Sequence, residues 1–200
     1  MKTFKNLFFS LLAFCSFSLS AQAKDFRIKF EVYSVNREYY KADRESMAAL
    51  VLDSKAKVIT AAEIISPSGQ RGKAEATKEI IYAVGGDSSG VEVESRLVGS
   101  VIEYEAILGG DNHTVDLTYS VDYTTAAPEN EWRKIPVGGG FNVEDPHFSK
   151  QQLVSSGTFY NSDKWILLGT LPEVTSETDS ELKKVFPVYA QIQLRDPDQR

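Results

Sequence analysis

Strict two-residue alternation constrains this chain more than any other feature. Val115, Leu117, Tyr119, Val121 and Tyr123 alternate with Asp116, Thr118, Ser120 and Asp122. Successive side chains of a strand point to opposite faces, so the run predicts a strand with one buried and one wet side. Phe26, Ile28, Phe30 and Val32 alternate in the same way with Arg27, Lys29 and Glu31, and Val188, Ala190, Ile192 and Leu194 share one face of a closing strand. Residues 91–108 alternate too, but Val91, Val93 and Leu97 are odd-numbered whereas Ile102, Tyr104, Ala106 and Leu108 are even-numbered. That change of parity predicts a bulge or bend at Val98-Gly99-Ser100. Strand faces of this kind have to be buried against a second layer.

Turn chemistry divides the strands. An apolar run at 57–65 enters Ser66-Pro67-Ser68-Gly69-Gln70 and a second run at 75–82 leaves it. Pro67 presets φ and Gly69 tolerates positive φ, so the segment reads as a β-hairpin with a fixed tip. Residues 85–90 read as a Gly-, Ser- and Asp-rich loop, Gly109-Gly110-Asp111-Asn112 as a hairpin turn, and residues 153–160 and 165–168 as a further hairpin about Asn161-Ser162-Asp163. Residues 42–52 form the single expected helix, with Met47, Leu50 and Val51 at helical spacing and Asp43 and Glu45 near its start. Residues 124–147 carry Pro128, Pro136, Pro146 and Gly138-Gly139-Gly140, and read as a long mobile surface loop. Residues 172–184 read as a polar connection. The expected fold is α+β, mainly antiparallel β, with one helix packed on the sheet.

Residues 1–23 have the three parts of a secretory signal peptide: Lys2 and Lys5, an apolar core at 7–17, and Ala21-Gln22-Ala23 as the cleavage site. Residues 24–200 are then expected to form one domain, exported from the cytoplasm. Phe14 precedes the only cysteine, Cys15, where a lipoprotein signal needs a small residue, so no lipid anchor is expected. Cleavage removes that cysteine, and with it disulfides, thiol nucleophiles and thiolate metal sites. It also removes Lys2 and Lys5, taking the formal net charge from −6 to −8. An acidic chain with no basic patch does not displace counterions from phosphate, which argues against nucleic acid. No further stretch reaches about 18 apolar residues, so no membrane-spanning helix is expected; strand spans are not addressed by that test.

No catalytic constellation in the sequence has the context its chemistry needs. Gly86-Asp87-Ser88-Ser89-Gly90 matches Gly-x-Ser-x-Gly, but a nucleophile elbow needs a helix after the serine and residues 91–97 are strand-like. A trypsin-like arrangement needs an upstream histidine, and both His113 and His147 lie downstream. Asp111, His113 and Asp116 do not share one strand face and sit at a turn. Glu92 with Glu94, and Glu103 with Glu105, alternate onto wet strand faces, where solvated charge is the ordinary role, and Glu129 with Glu131 makes a third acidic pair. Tyr39, Tyr40, Trp132 and Trp165 suit a groove or a core, and strands favour aromatics in either. No catalytic, cofactor-binding or metal-binding residue is assigned, and the protein is expected not to be an enzyme.

Several segments, in order, resemble the core domain of bacterial secretins, the outer-membrane channel family of type II and type III secretion systems. Ala48-Ala-Leu-Val-Leu-Asp-Ser-Lys-Ala-Lys-Val-Ile59 is similar to the family's helix and following strand, and Ser68-Gly69-Gln70 to its hairpin motif. Val98-Gly99 with the strands after it is similar to the family's central pair, and Pro146-His-Phe148, Val154-Ser-Ser156 and Trp165-Ile-Leu-Leu-Gly169 to its later hairpin. The likeness covers most of residues 26–197. The amino-terminal ring domains of the family have no counterpart before Ala48, and residues 172–184 are Glu-, Ser- and Thr-rich where the family is rich in Pro, Leu and Gly. The resemblance implies a non-enzymatic secretin-like component or relative of a secretion apparatus, with protein partners by self-association or among other secretion components. Membrane contact is left open. The alternative is a periplasmic or secreted β-rich binding module that uses residues 124–147, with Trp132 and Phe141, as its contact loop.

Overall fold

In the computed structural model, residues 24–40, 42–87, 90–127, 129–138, 141–174 and 184–195 are described. The leader at 1–23, Ser88 and Ser89 of the Gly-x-Ser-x-Gly match, and residues 175–183 of the polar connection lie outside the described residues. The chain runs β1 (Asp25–Asn36), a 3-10 turn (Arg37–Tyr39), α1 (Arg44–Leu52), β2 (Ala56–Pro67), β3 (Arg71–Asp87), β4 (Gly90–Leu108) and β5 (Thr114–Ala126). A second 3-10 turn (Glu129–Glu131), β6 (Arg133–Gly138), β7 (Phe141–Asp145), β8 (Phe148–Tyr160), β9 (Ser162–Val174) and β10 (Lys184–Arg195) follow.

Two four-stranded sheets hold the core, one ordered β2-β1-β10-β9 and the other β3-β4-β5-β8, and β6 and β7 form a separate ribbon. Every pairing is antiparallel. The fold is therefore mainly antiparallel β with a single α-helix among the described residues, as the alternation implies. Phe26, Ile28, Phe30 and Val32 of β1 and Val188, Ala190 and Ile192 of β10 meet Ile102, Tyr104 and Ala106 of β4 and Val115, Leu117, Tyr119 and Val121 of β5 in one buried cluster. The interior strands of each sheet thus supply most of the core, since burial of their apolar faces is the main favourable term.

The first sheet is covered on its other face as well, at one end. Tyr33 and Val35 of β1 and Val185 and Tyr189 of β10 point away from the second sheet and bury against Met47 of α1, which is why residues 185–190 are buried without alternation. Asp43 caps α1, accepting from Ser46 N at 2.9 Å. Arg44 grips Glu31 of β1 with two hydrogen bonds of 2.9 and 2.8 Å and stacks on Trp165 at 4.6 Å. Tyr33 also donates to Glu31. Burial pushes the Glu31 carboxyl up, but hydrogen bonds from Arg44 and Tyr33 outweigh it and the net shift is downward. Burial and then the bond to Glu31 push the Tyr33 phenol up to about 12.

Four expectations are corrected. The runs at 57–65 and 75–82 are strands, but they do not form a hairpin: β2 pairs with β1 and β3 with β4, so the Ser66–Gln70 segment carries the chain from one sheet to the other. Residues 153–160 and 165–168 lie in strands, but these do not form a hairpin: β8 pairs with β5 and β9 with β10, so Asn161-Ser162-Asp163 is a second crossing between the sheets. Residues 124–147 are not an irregular loop. β5 runs to Ala126, and the Gly-Pro-rich stretch folds back as the β6–β7 ribbon, in which Pro136 pairs with Asn142. No bulge lies at Val98-Gly99-Ser100, because β4 keeps register with β3 and β5 there; the shift falls at Ala83/Gly85 instead. Even-numbered residues face the core from Val98 onward, and Val91, Val93 and Leu97 are simply exposed on the opposite face. β3 and β4 also run past the expected loop boundaries at 85 and 90, to Asp87 and from Gly90.

Leu117 is buried at 1% exposure while its neighbour Thr118 is exposed. Leu117→Asp should cost about 3 kcal/mol or more, since it places a charge in the core, and Thr118→Asp should stay within about 0.5 kcal/mol. Urea unfolding of both variants checks the difference.

Candidate assembly surface

The crossing between the sheets is built from Ser68 and Gly69. Gly69 takes φ +77°, which closes the turn, and its amide donates to Ala106 O of β4 at 2.8 Å. Ser68 N donates to Lys24 O at 3.0 Å, and the Ser68 hydroxyl accepts from Leu108 N at 3.0 Å. Gln70 N returns to Pro67 O at 3.1 Å. Two adjacent residues therefore bond to the chain on both sides of the sandwich. Further polar ties cross the core beside them: Thr60 with Ser100, Ser66 with Tyr104 at 2.8 Å, and Tyr119 donating to Leu168 O at 2.7 Å. Buried hydroxyls need such partners, and each tie fixes how one sheet sits on the other.

The remaining motif glycines mark close approaches. Gly99 lies opposite Thr77 with φ +124°, and a Cβ there would stand 2.1 Å from Ala76 O. Val98 beside it points into the core at 4% exposure. Gly169 sits at a register slip between β9 and β10, where Leu168 presents the carbonyl that Tyr119 reaches.

The proposed contact residues are placed differently from expectation. Trp132 is buried at 8% exposure, its indole N–H donating to Ala127 O at 2.7 Å and its ring set edge-on to Tyr82. Most of its surface is thus taken up in packing, and it also lines a cleft that opens there. Phe141 begins β7, and its side chain lies outside the described residues. Beside Trp132 a cleft of about 710 Å³ opens where β5 runs past its last pairing with β4, lined by Val98, Gly99, Tyr123, Thr125 and Ala127 among others. Asp111 Oδ1 accepts from Thr114 N, His113 N and the Thr114 hydroxyl, and these bonds hold its carboxyl down at about 2. The carboxylate is a turn lock. Glu105 and Glu103 face Arg71 and Lys73 as surface ion pairs, and Glu94 accepts from Tyr82. Among the described residues no group of three or more His, Cys, Asp or Glu is placed to hold a metal ion, and no helix is long and apolar enough to cross a membrane.

Among the described residues the geometry leaves four strand edges, of which that of β3 is partly covered by β7, whose Glu144 accepts from Ala83 N at 3.4 Å. β2 and β9 end the first sheet, and β3 and β8 end the second. The chain passes directly from β2 to β3 and from β8 to β9, so each flank of the sandwich carries one edge from each sheet. Consecutive residues are exposed on both faces of β3 at 75–79 and of β8 at 154–156. A row of unpaired backbone groups is a template for another strand. Sequence periodicity finds the strands but carries no direct signal of which ones end a sheet.

Gly99→Ala should cost several kcal/mol, because it combines positive φ with a clash against main chain that has no room to yield. Gly69→Ala keeps a free Cβ position, with nothing within 4 Å, and should cost only about 1–2 kcal/mol of backbone strain. Thermal and urea unfolding of the pair checks this order.

No family model matches the chain, and no curated protein matches its sequence. Solved structures do resemble it. The type IV competence pilus secretin PilQ of V. cholerae is similar with a TM-score of 0.52 at 10% identity, over 89% of this chain and 62% of that one. Aeromonas hydrophila ExeD is similar with a TM-score of 0.51 at 10% identity, over 89% of this chain and 50% of that one. The chain thus spans less than two thirds of either. At such identity the likeness is one of fold, and the fold of this chain is that of a secretin-like core.

Proposed function

We propose that the chain is an exported, non-enzymatic secretin-like protein, a component or relative of a protein secretion apparatus in the bacterial envelope, which works by joining other β subunits or copies of itself. The open sandwich is the observation that carries this reading. Both sheets contain four strands, all antiparallel, so the two edge strands of each sheet run in opposite directions. A second subunit in the same orientation, set beside the first, therefore continues both sheets with antiparallel pairing at the joint. Repetition of that step makes a heterologous ring or filament. The secretin-like core fold and the signal-like residues 1–23 support export to the periplasm or outer membrane, as a single domain over residues 24–200 with Ser68, Gly69, Gln70, Val98, Gly99 and Gly169 as its structural motif residues.

A binding module is the second reading, favoured by the cleft beside Trp132. One experiment separates the two. The chain is expressed with its leader in a bacterium, recovered from the envelope, and its mass measured intact and by light scattering with and without lipid. A start at Lys24 and symmetric multimers in electron micrographs are expected. A clean monomer that ignores lipid would overturn assembly and put the binding module first.

A further inference from the structure

The cleft beside Trp132 has a chemistry of its own. On β3, Ala76, Lys78 and Ile80 pair with Ser100, Val98 and Arg96 of β4, and Ser100 pairs with Tyr123 of β5. Paired residues share a face. Lys78 therefore stands on the core side of the second sheet, in line with buried Val98, and Ile59 of β2 lines the cleft from the first sheet. Ala76 and Lys78 are nonetheless exposed. Where a large apolar side chain would close the sandwich, the chain has a methyl group and an amine. The opening that results is about 710 Å³, inside the span of small-molecule sites, roughly 300–1,000 Å³.

Lys78 is the single basic residue that lines the cleft, and it makes no ion pair among the described residues. The two acids in the lining are placed away from it. Glu79 alternates onto the opposite face of β3, and Glu129 is exposed on the 3-10 turn at the Trp132 end. Burial pushes the Tyr123 phenol up, so that wall stays uncharged. Tyr82 shares the face of Lys78 farther along β3, about 13 Å away at the rise of a strand, and its ring meets Trp132. An unpaired ammonium thus stands at one end of an apolar path and aromatic rings at the other. One placed charge on an apolar wall orients a small amphiphile.

We infer that the cleft binds a small anionic amphiphile, a medium-chain carboxylate, with its anion at Lys78 and its apolar body along Ile80, Val98 and Tyr123 toward Trp132. This deepens the binding-module reading, and it does not require copies to join. In a Trp165→Phe background Trp132 is the remaining tryptophan, and bromine quenches an indole that it touches. The mature protein is titrated with 10-bromodecanoate below its micelle concentration, and saturable quenching is expected. Lys78→Glu should weaken binding roughly tenfold or more, whereas Lys78→Arg, which keeps the charge, should stay within about threefold. Val93→Ser, on the exposed opposite face of the β3–β4 ribbon, should change nothing. Urea midpoints close to that of the parent show that the variants fold. Quenching that ignores Lys78→Glu, or that is lost in Val93→Ser, overturns the site. Saturable quenching by 10-bromodecyltrimethylammonium but not by the carboxylate overturns the anion while a binding cleft stands. No saturable quenching by either probe overturns both.

Discussion

Everything in this structure depends on the face-to-face burial of four interior strands. β1 and β10 bring Phe26, Ile28, Phe30, Val188 and Ile192 against Ile102, Tyr104, Leu117 and Val121 of β4 and β5. Each such side chain contributes about 1.5–3 kcal/mol when taken out of water, and together they hold two sheets that are joined covalently only at their margins. The edge strands add less. On the core side of β3 stand Gly72, Ala74, Ala76 and Lys78, and on that of β8 Gln151, Ser155 and Gly157 alternate with Leu153 and Phe159, which pack half-buried against the core. The sandwich is thus strong in the middle and lightly built along its flanks, which suits a unit that continues into a neighbour.

Polar groups set the geometry that apolar burial leaves free. Hydrophobic contact is non-directional, whereas Ser66 with Tyr104, Tyr119 with Leu168 O and the paired bonds of Ser68 and Gly69 each hold at one alignment of the sheets. The Glu31–Arg44–Trp165 contact plays the same part for α1, fixing the helix over one end of the first sheet. A bidentate pair of this sort specifies orientation more than it adds stability.

Much of this was legible in the residues, and the failures have physical causes. Alternation identified β1, β5 and β10 with the correct inward faces, because one side of each is dry. It misled at Val91, Val93 and Leu97, where apolar side chains stand on the wet face of a ribbon that runs beyond the core. The turn at Ser66–Gln70 was real, but a Pro-Ser-Gly turn serves a crossing between sheets as well as a hairpin, and only long-range pairing decides between them. Residues 124–147 looked irregular because Pro and Gly are poor in central strands, yet both are accommodated in a two-stranded ribbon that is all edge. Ser68 stood out through a family resemblance, Gly69 also through turn chemistry and Gly99 also through the change of parity, and the structure supplies their reasons: a crossing and a close approach of main chain. The open edges left no direct sequence signal, since an unpaired strand has the same periodicity as a paired one.

The central claim is that the interior of the sandwich is complete within one chain while its strand edges are not. Amide hydrogen exchange on the mature protein across a dilution series tests this directly. The account predicts that amides shared between β1 and β10 and between β4 and β5 exchange slowly at every concentration, while the edge-facing amides of β3 and β8 are fast in dilute solution and become protected as the mass rises. Protection of β3 and β8 edges in the dilute monomer, or edges that stay fast in the assembled state, would contradict it.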